Sequence, residues 1–351
     1  MTAEMTVEER RLLTLTAVVE RYIDTGEPVG SKYVAERMNN AVSSATIRND
    51  MAALETRGLL DHRHTSSGRV PSHAGYRTYV NRAMRLVPIG PQERSRIDAL
   101  FNVRDADPDR LLADAAQSLA DHTGLAAVTA TVLRKTATVR SLDIVPAGQS
   151  AVVILLIASS GVIRNKVCRV DFTVSEPIVR FFKELAAAQL VGKSLDEITT
   201  SYLTSLTVPL GGEYTRLFLP IFTAIYELVR EINGGQLNVR GTTNLLGCPD
   251  LTKTQNDLLR FFEDRAQMQR IMALDEVPMR VTIGRENAAA PLEEASLLLS
   301  RCPIGSNAWS LIGLIGPVRM DYARLLPRVE YFGRTLGKLL GEIYTEEGKE
   351  P

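Results

Sequence analysis

Between Ser43 and Gly58 the large apolar side chains fall at Ile47, Met51 and Leu54, four and three residues apart. That spacing lays one stripe along a helix, and Gly58 suits the left-handed position that ends it. At about 100° per residue the opposite face carries Ala45, Asn49, Ala52, Ala53 and Thr56, with Arg48 and Arg57 on the flanks. A solvated helix displays Glu, Lys and Gln on its outer side. This one is almost bare there, which limits what can lie against it.

A helix that approaches base edges needs small side chains for clearance and a few amide or hydroxyl groups for reading. Asn49 can pair with the two major-groove groups of adenine, and Ser43, Ser44 and Thr46 stand at the start of the helix, where bases or phosphates come within reach. The competing account is an Ala-rich surface helix chosen for propensity.

The flanking sequence supports a DNA-facing role. Glu8 to Asp24 carries an apolar stripe at Leu12, Leu15, Val19 and Tyr22 and stops at the Thr25-Gly26-Glu27-Pro28 turn. Ser31 is expected to cap a short helix from Lys32 to Met38, and Asn39-Asn40 breaks it before Ser43 or Ser44 caps the next. Three short helices in this order match a helix-turn-helix unit. After Gly58, Leu59 to His64 and Arg69 to Pro71 predict two short strands around a polar tip, a wing.

From Asp61 to Arg85 there are five arginines, one acid and three of the four histidines, about +4 in a chain of formal net charge zero. Such a strip beside a groove-sized helix supplies sequence-independent phosphate attraction. A solvated charge run is the alternative. The candidate DNA-binding set is therefore Ser43, Ser44, Thr46, Arg48, Asn49, Thr56, Arg57, Arg63, His64, Ser67, Arg69 and Arg77.

Other function classes find little support. The chain has 351 residues and 45% apolar content, enough for two or three domains. Its longest apolar run, Ala151 to Ala158, is far too short to span a bilayer, and no basic-then-apolar leader opens it, so a cytoplasmic protein without membrane contact is expected. Cys168, Cys248 and Cys302 are scattered, with no disulfide framework. His62 and His64 lack the spacing of a zinc site. Gly313 to Pro317 leads from a strand towards a helix, but Pro317 removes a donor where a phosphate loop needs one and no Gly-Lys-Ser/Thr follows. Gly284-Arg285-Glu286-Asn287 reads as a hydrogen-bonded polar turn. Without a nucleophile elbow, a His-Glu metal motif or a supported acid pair, neither an enzyme nor a cofactor is expected.

Val87 to Pro91 ends the N-terminal module. Helices are predicted over Gln92 to Asn102 and Asp109 to Thr123, then strands over Val139 to Val145, Ala151 to Ala158 and Val162 to Val170, with a turn at Ser159-Ser160-Gly161. The run AVVILLIA predicts a central strand covered on both faces. Helices follow over Pro177 to Leu190 and Tyr214 to Ile232, a strand near Gln236 to Asn244, and one helix from Thr252 to Ala273. VPMRVTIG and AWSLIGLIG supply two more strands before a closing helix, Pro317 to Leu340. Strands before and after a helical block predict an α+β domain interrupted by an insertion.

The segments TGEPVGSK (Thr25 to Lys32), SSATIRNDMAALETRGLL (Ser43 to Leu60) and HTSSGRVPSHAGYRTYVNRAM (His64 to Met84) resemble, in order and spacing, the N-terminal blocks of the heat-inducible transcription repressor HrcA family. VTIGREN (Val281 to Asn287) and IGLIGPVRMDY (Ile312 to Tyr322) resemble its C-terminal signatures. In one departure, Arg63 stands before His64 where the family usually has Pro. The resemblance implies an N-terminal winged helix-turn-helix (residues 1–86), and a GAF-like α+β domain in two parts (87–172 and 246–351) carrying an inserted, mainly helical dimerisation domain (173–245). It further implies a repressor of chaperone genes on an inverted-repeat operator of double-stranded DNA, whose activity depends on the GroE chaperonin.

A homodimer fits the residues too, because one short helix with few readers discriminates poorly and two-fold symmetry doubles the contact. Two other readings stand beside this one. The GAF-like domain is a small-molecule sensor in the first, by analogy of fold alone. In the second, the middle and C-terminal parts exist to be held by a chaperone, with DNA binding as the output.

Overall fold

The computed structural model describes residues 5–62, 68–101, 107–133, 137–208, 211–272, 277–304 and 308–346. The chain is α+β. Its elements run α1 (Val7–Thr25), α2 (Ser31–Arg37), α3 (Ser44–Thr56), β1 (Leu60–Asp61), β2 (Val70–Pro71), α4 (His73–Arg82), α5 (Pro91–Leu100), α6 (Pro108–Thr123), β3 (Ala126–Leu133), β4 (Val139–Gly148), β5 (Ala151–Ala158) and β6 (Ile163–Arg169). They continue α7 (Glu176–Gln189), α8 (Thr200–Ser205), α9 (Gly212–Asn233), β7 (Leu237–Arg240), α10 (Gln255–Glu263), α11 (Arg265–Met272), β8 (Met279–Ile283), β9 (Ala295–Ile304), β10 (Ala308–Pro317) and α12 (Tyr322–Glu346). Two compact units result: Met1–Thr129 with Asn238–Arg301 and Leu311–Thr335, and Ala130–Leu237 with Cys302–Ser310 and Leu336–Pro351.

In the first unit, the start of α1 is fixed by a reciprocal cap. The Thr6 hydroxyl accepts from the Glu9 amide at 3.2 Å and the Glu9 carboxylate accepts from the Thr6 amide at 2.7 Å. Gly26, in the left-handed conformation at φ 71°, ends the helix. Leu15, Val18, Val19 and Tyr22 form its buried face. Helix α2 begins one residue earlier than expected: Gly30 is the N-cap, and Ser31 lies inside the first turn without capping it. Asn39 and Asn40, at φ 53° and 54°, turn the chain between α2 and α3. Asn tolerates this conformation better than most residues because its short amide bonds locally.

Strands β1 and β2 pair antiparallel, Leu60 opposite Pro71 and Asp61 opposite Val70. They are shorter than predicted, and the expected tip, with Arg63, His64 and Ser67, lies outside the described residues. Val29 and Arg69 exchange two backbone hydrogen bonds of 2.9 Å, which ties the turn after α1 to the base of this hairpin. Ser72 then caps α4, its hydroxyl accepting from the Gly75 amide at 3.0 Å and donating to the Gly58 carbonyl at 2.6 Å.

A five-stranded sheet runs in the order β7-β3-β10-β9-β8. Leu297, Leu298 and Leu299 of β9 and Leu311, Ile312, Leu314 and Ile315 of β10 are buried, as are Leu112, Ala116 and Leu119 of α6. Strands β9 and β10 lie so close at Gly313 that a Cβ there would stand 2.2 Å from the Leu298 carbonyl oxygen. The glycine thus serves strand packing. The single helix expected from Thr252 to Ala273 is two, α10 and α11. They part at Asp264, whose extended backbone and carboxylate, accepting from the Gln267 amide at 3.0 Å, start a new helix.

In the second unit, β4-β5-β6 form an antiparallel sheet. Its inner residues Val139, Ile144, Val152, Ile154 and Leu156 share one core with Phe182 and Ala186 of α7 and with Phe218, Ile221, Ile225 and Leu228 of α9. The helices that follow residue 173 cover the strands that precede it. Strand β5 is central, but it alternates. Val152, Ile154, Leu156 and Ala158 are buried, whereas Val153, Leu155 and Ile157 are only half-buried. Among the described residues no helix is long and apolar enough to cross a membrane.

Candidate nucleic-acid interface

Ile47, Met51 and Leu54 are buried, at 0%, 4% and 2% exposure, and they seat α3 against the rest of the unit. Ala45, Arg48, Asn49, Ala52 and Thr56 are exposed; Ala53 and Thr46 are half-buried. The face predicted to be clear is therefore open. Ser43 is the N-cap, its hydroxyl accepting from the Thr46 amide at 3.1 Å and lying 2.9 Å from the Thr46 hydroxyl. Ser44 is exposed in the first turn. Thr56 donates its hydroxyl proton to the Ala52 carbonyl at 2.9 Å, which leaves only its oxygen lone pairs to a partner.

The arginines divide by their contacts. Arg48 is exposed beside Asn49. Arg57 forms a two-pronged pair with Glu8, at 2.8 and 3.0 Å, and holds that carboxyl below its usual value. Both side chains are about half or more exposed, so solvent screens the pair and a phosphate can compete for the guanidinium. Arg69 is gripped more firmly: its Nε and Nη2 reach Glu55 at 2.9 and 2.8 Å, and Nη1 lies 2.8 Å from His62 Nδ1. Its geometry is that of a brace between the hairpin and α3.

Arg77 is bonded within the chain. Its Nε donates to Glu286 at 2.8 Å, a second nitrogen also reaches that carboxylate, and the Val281 carbonyl accepts at 2.7 Å. Beside it, His73 Nδ1 accepts from the Arg285 amide at 3.4 Å. Gly284, at φ 56°, leaves room for this ring, since a Cβ would come within 2.3 Å of it. Arg77 and His73 thus anchor α4 to the polar turn after β8.

Arg319 makes a parallel anchor. Its Nε donates to Asp250 at 3.0 Å and its Nη1 to the Ile23 carbonyl in the last turns of α1 at 2.9 Å. The two segments with distinctive sequence near the C-terminus therefore supply, in Glu286 and Arg319, groups that hold the N-terminal helices.

Asp50 was missed by sequence reasoning. This carboxylate is 2% exposed on the inner side of α3, and Arg10 reaches it with Nε at 2.6 Å and Nη2 at 3.2 Å while Arg11 Nε lies at 3.4 Å. The hydrogen bond to Asp50 raises the Arg10 guanidinium above its ordinary value. An acid one turn from Ile47 and Leu54 was the only local signal, and its partners lie some forty residues upstream.

An α+β chain whose candidate site is an open helix face, set by arginine–carboxylate braces, belongs with regulatory proteins. Residues 109–326 match the family model described as "HrcA protein C terminal domain", and the chain belongs to the HrcA family. The heat-inducible transcription repressor HrcA of Symbiobacterium thermophilum is 31% identical over 327 residues, covering 91% of this chain and 95% of the relative. Those of Ruminiclostridium cellulolyticum and Clostridium botulinum (strain Eklund 17B) are 28% and 29% identical, covering 93% and 96% of this chain and 95% and 98% of theirs. A crystal structure of a hypothetical protein shares the fold, with a TM-score of 0.62 at 23% identity over 95% of this chain and 99% of that one. The chain is a transcriptional regulator and not an enzyme.

Proposed function

We propose that the chain is a DNA-binding repressor of chaperone genes, acting as a homodimer on an inverted-repeat operator, with its activity set by the GroE chaperonin. On this reading α1 to α4 with β1 and β2 are a winged helix-turn-helix, the five-stranded sheet belongs to a GAF-like domain, and the second unit holds the inserted dimerisation domain. The observation that carries it is the outer face of α3. Ala45 and Ala52 leave clearance on either side of Asn49, and Arg48 adds a cation at the same edge. Ser43, Ser44 and Thr46 stand at the helix start, and Arg57 is within reach of phosphate. Arg63, His64 and Ser67 keep the roles expected of them on the wing as part of the proposal.

The outer face of the β4-β5-β6 sheet supports dimerisation. Val145, Val153 and Val167 lie in one row across the three strands, next to Leu155, Ile157 and Ile163. Val145, Ile163 and Val167 are 47%, 50% and 65% exposed. Asp143 and Asn165 flank Leu155 in the next row, so the face is mixed, but its exposed valine row is a place for another protein surface. A second copy covers it in the dimer, and in an unassembled subunit the same face is what a chaperonin would hold.

The test is selection of duplexes from a random-sequence library by the full chain, followed by gel-shift titration at several salt concentrations. An enriched inverted repeat, with half-sites one helical turn or a multiple apart, is the expected result. Binding that is equal for all sequences would remove the repressor reading.

A second reading, a small-molecule sensor, is favoured by one observation. A cavity of about 710 Å³ is lined by Tyr22, His73, Tyr76, Asp250, Lys253 and Arg319 among others, and the buried Tyr76 hydroxyl has no hydrogen-bond partner among the described residues. A thermal-shift screen with metabolites distinguishes the two, because a ligand that binds only the folded chain raises its melting point.

A further inference from the structure

Asp50 is the only charged side chain among the described residues that is buried, and it stands next to the proposed base reader. Arg10 and Arg11 approach it from α1, and their side chains keep 21% and 24% exposure, so both can reach water at their edges. An ion cluster buried in this way is a weak source of stability, since apolar groups of similar volume commonly serve as well or better. What it supplies is direction. A two-pronged guanidinium–carboxylate contact fixes distance and angle, whereas the contacts of Ile47, Met51 and Leu54 are non-directional.

Direction matters at this position. Asn49 precedes Asp50 and projects about 100° away around the same helix. With side-chain tips about 5–6 Å from the axis, a roll of roughly 20° moves the Asn49 amide by about 2 Å, while a recognition group must be held to about 0.5 Å. The Arg57–Glu8 pair, with Glu8 also 3.6 Å from Arg11, adds a screened contact at the far end of α3.

We propose that Asp50, gripped by Arg10 and Arg11, sets the rotation of α3 about its own axis and so places Asn49 for base reading. Asp50 is a positioning residue and touches no DNA. The proposal rests on the reading of α3 as the DNA-facing helix.

Its test uses the full chain and a duplex enriched from a random library by the wild type. The quantities measured are the affinity for that duplex, the affinity for a scrambled one, and the thermal midpoint. Arg10→Met combined with Asp50→Leu removes one charge of each sign and fills the space with apolar atoms. This variant is expected to melt within about 3 °C of wild type and to bind scrambled DNA as wild type does. Its preference for the enriched duplex is expected to fall about tenfold or more.

Asp50→Asn should move the preference the same way. Arg10→Lys keeps the charge but loses the fork, and should lower the preference about threefold. A folded double variant with wild-type preference overturns the proposal. If the double variant does not fold, an unchanged preference in Arg10→Lys overturns it. A wild type that enriches no sequence removes the reading of α3 itself, and this result is distinct from a failure of Asp50.

Discussion

The Arg77 guanidinium straddles the Glu286 carboxylate, 209 residues away in the chain, and also reaches the Val281 carbonyl. Both side chains are about one-third exposed, so the pair is partly screened. Arg77→Ala is expected to lower unfolding free energy by about 1–2 kcal/mol, read from denaturant melts. Burial pushes the Glu286 carboxyl up, but the bonds from Arg77 and the Ile283 amide overcome this and hold it below its ordinary 4.5. A carboxyl lowered in the folded state adds stability above its unfolded value, and that contribution fades as pH falls through the folded one. Glu286→Gln should therefore flatten the loss of stability below about pH 4.5; an unchanged acid limb would show the pair to be unimportant.

On the proposed DNA-facing helix, Asn49→Ala is expected to weaken binding to the preferred duplex by about 1–3 kcal/mol, with little change on scrambled DNA. Arg48→Ala should weaken both alike and reduce the salt slope by about 1. Arg69→Ala, whose guanidinium is held by Glu55 and His62, should leave the salt slope near wild type and lower the melting point instead. Gel shifts at four salt concentrations separate the three outcomes.

Gly75 lies under the backbone of Leu59, and a Cβ there would stand 2.0 Å from the Leu59 carbonyl oxygen. Gly75→Ala must displace either α4 or the entry to β1. A loss of about 1–3 kcal/mol is expected in thermal or urea unfolding, and a variant as stable as wild type would contradict this close approach.

Val167 is 65% exposed, opposite Val153 in a register that continues to Val145. Val167→Asp would place an unpaired carboxylate in the proposed dimer surface. Sedimentation equilibrium should show the dimer dissociation constant rising about 100-fold, near 3 kcal/mol. A variant that dimerises as wild type does would move the interface elsewhere.

Much of the N-terminal unit was legible because it is local. Ile47, Met51 and Leu54 share one period and Gly26 ends α1; in the second unit, Ala151 to Ala158 forms β5 as read. The clear face of α3 followed from the same period. Strands β3 and β9 escaped although Gly124 precedes the first and Gly305-Ser306-Asn307 follows the second, because the Ala-rich run AAVTATVL and the continuous apolar start of ASLLLSRCPI do not alternate cleanly enough to tell a strand from a buried helix. The break at Asp264 was hidden by helix-forming neighbours on both sides. Charge was the least legible. The clustering of Arg77 and Arg69 is visible in sequence, while Glu286 and Glu55, which hold them, are recognised only once the chain has folded. Asp50 was passed over for the same reason: Arg10 and Arg11 meet it through the crossing of two helices.

Arg319 bonds the Ile23 carbonyl near one end of α1, and Arg10 and Arg11 hold Asp50 near the other. Nineteen residues of helix span about 28 Å. Helix α1 is therefore a strut with both ends loaded. Loosening of the Arg319–Asp250 fastening by heat would free the strut at its far end, and the aim of the helix beside it would drift before any base-contacting group had itself been disturbed.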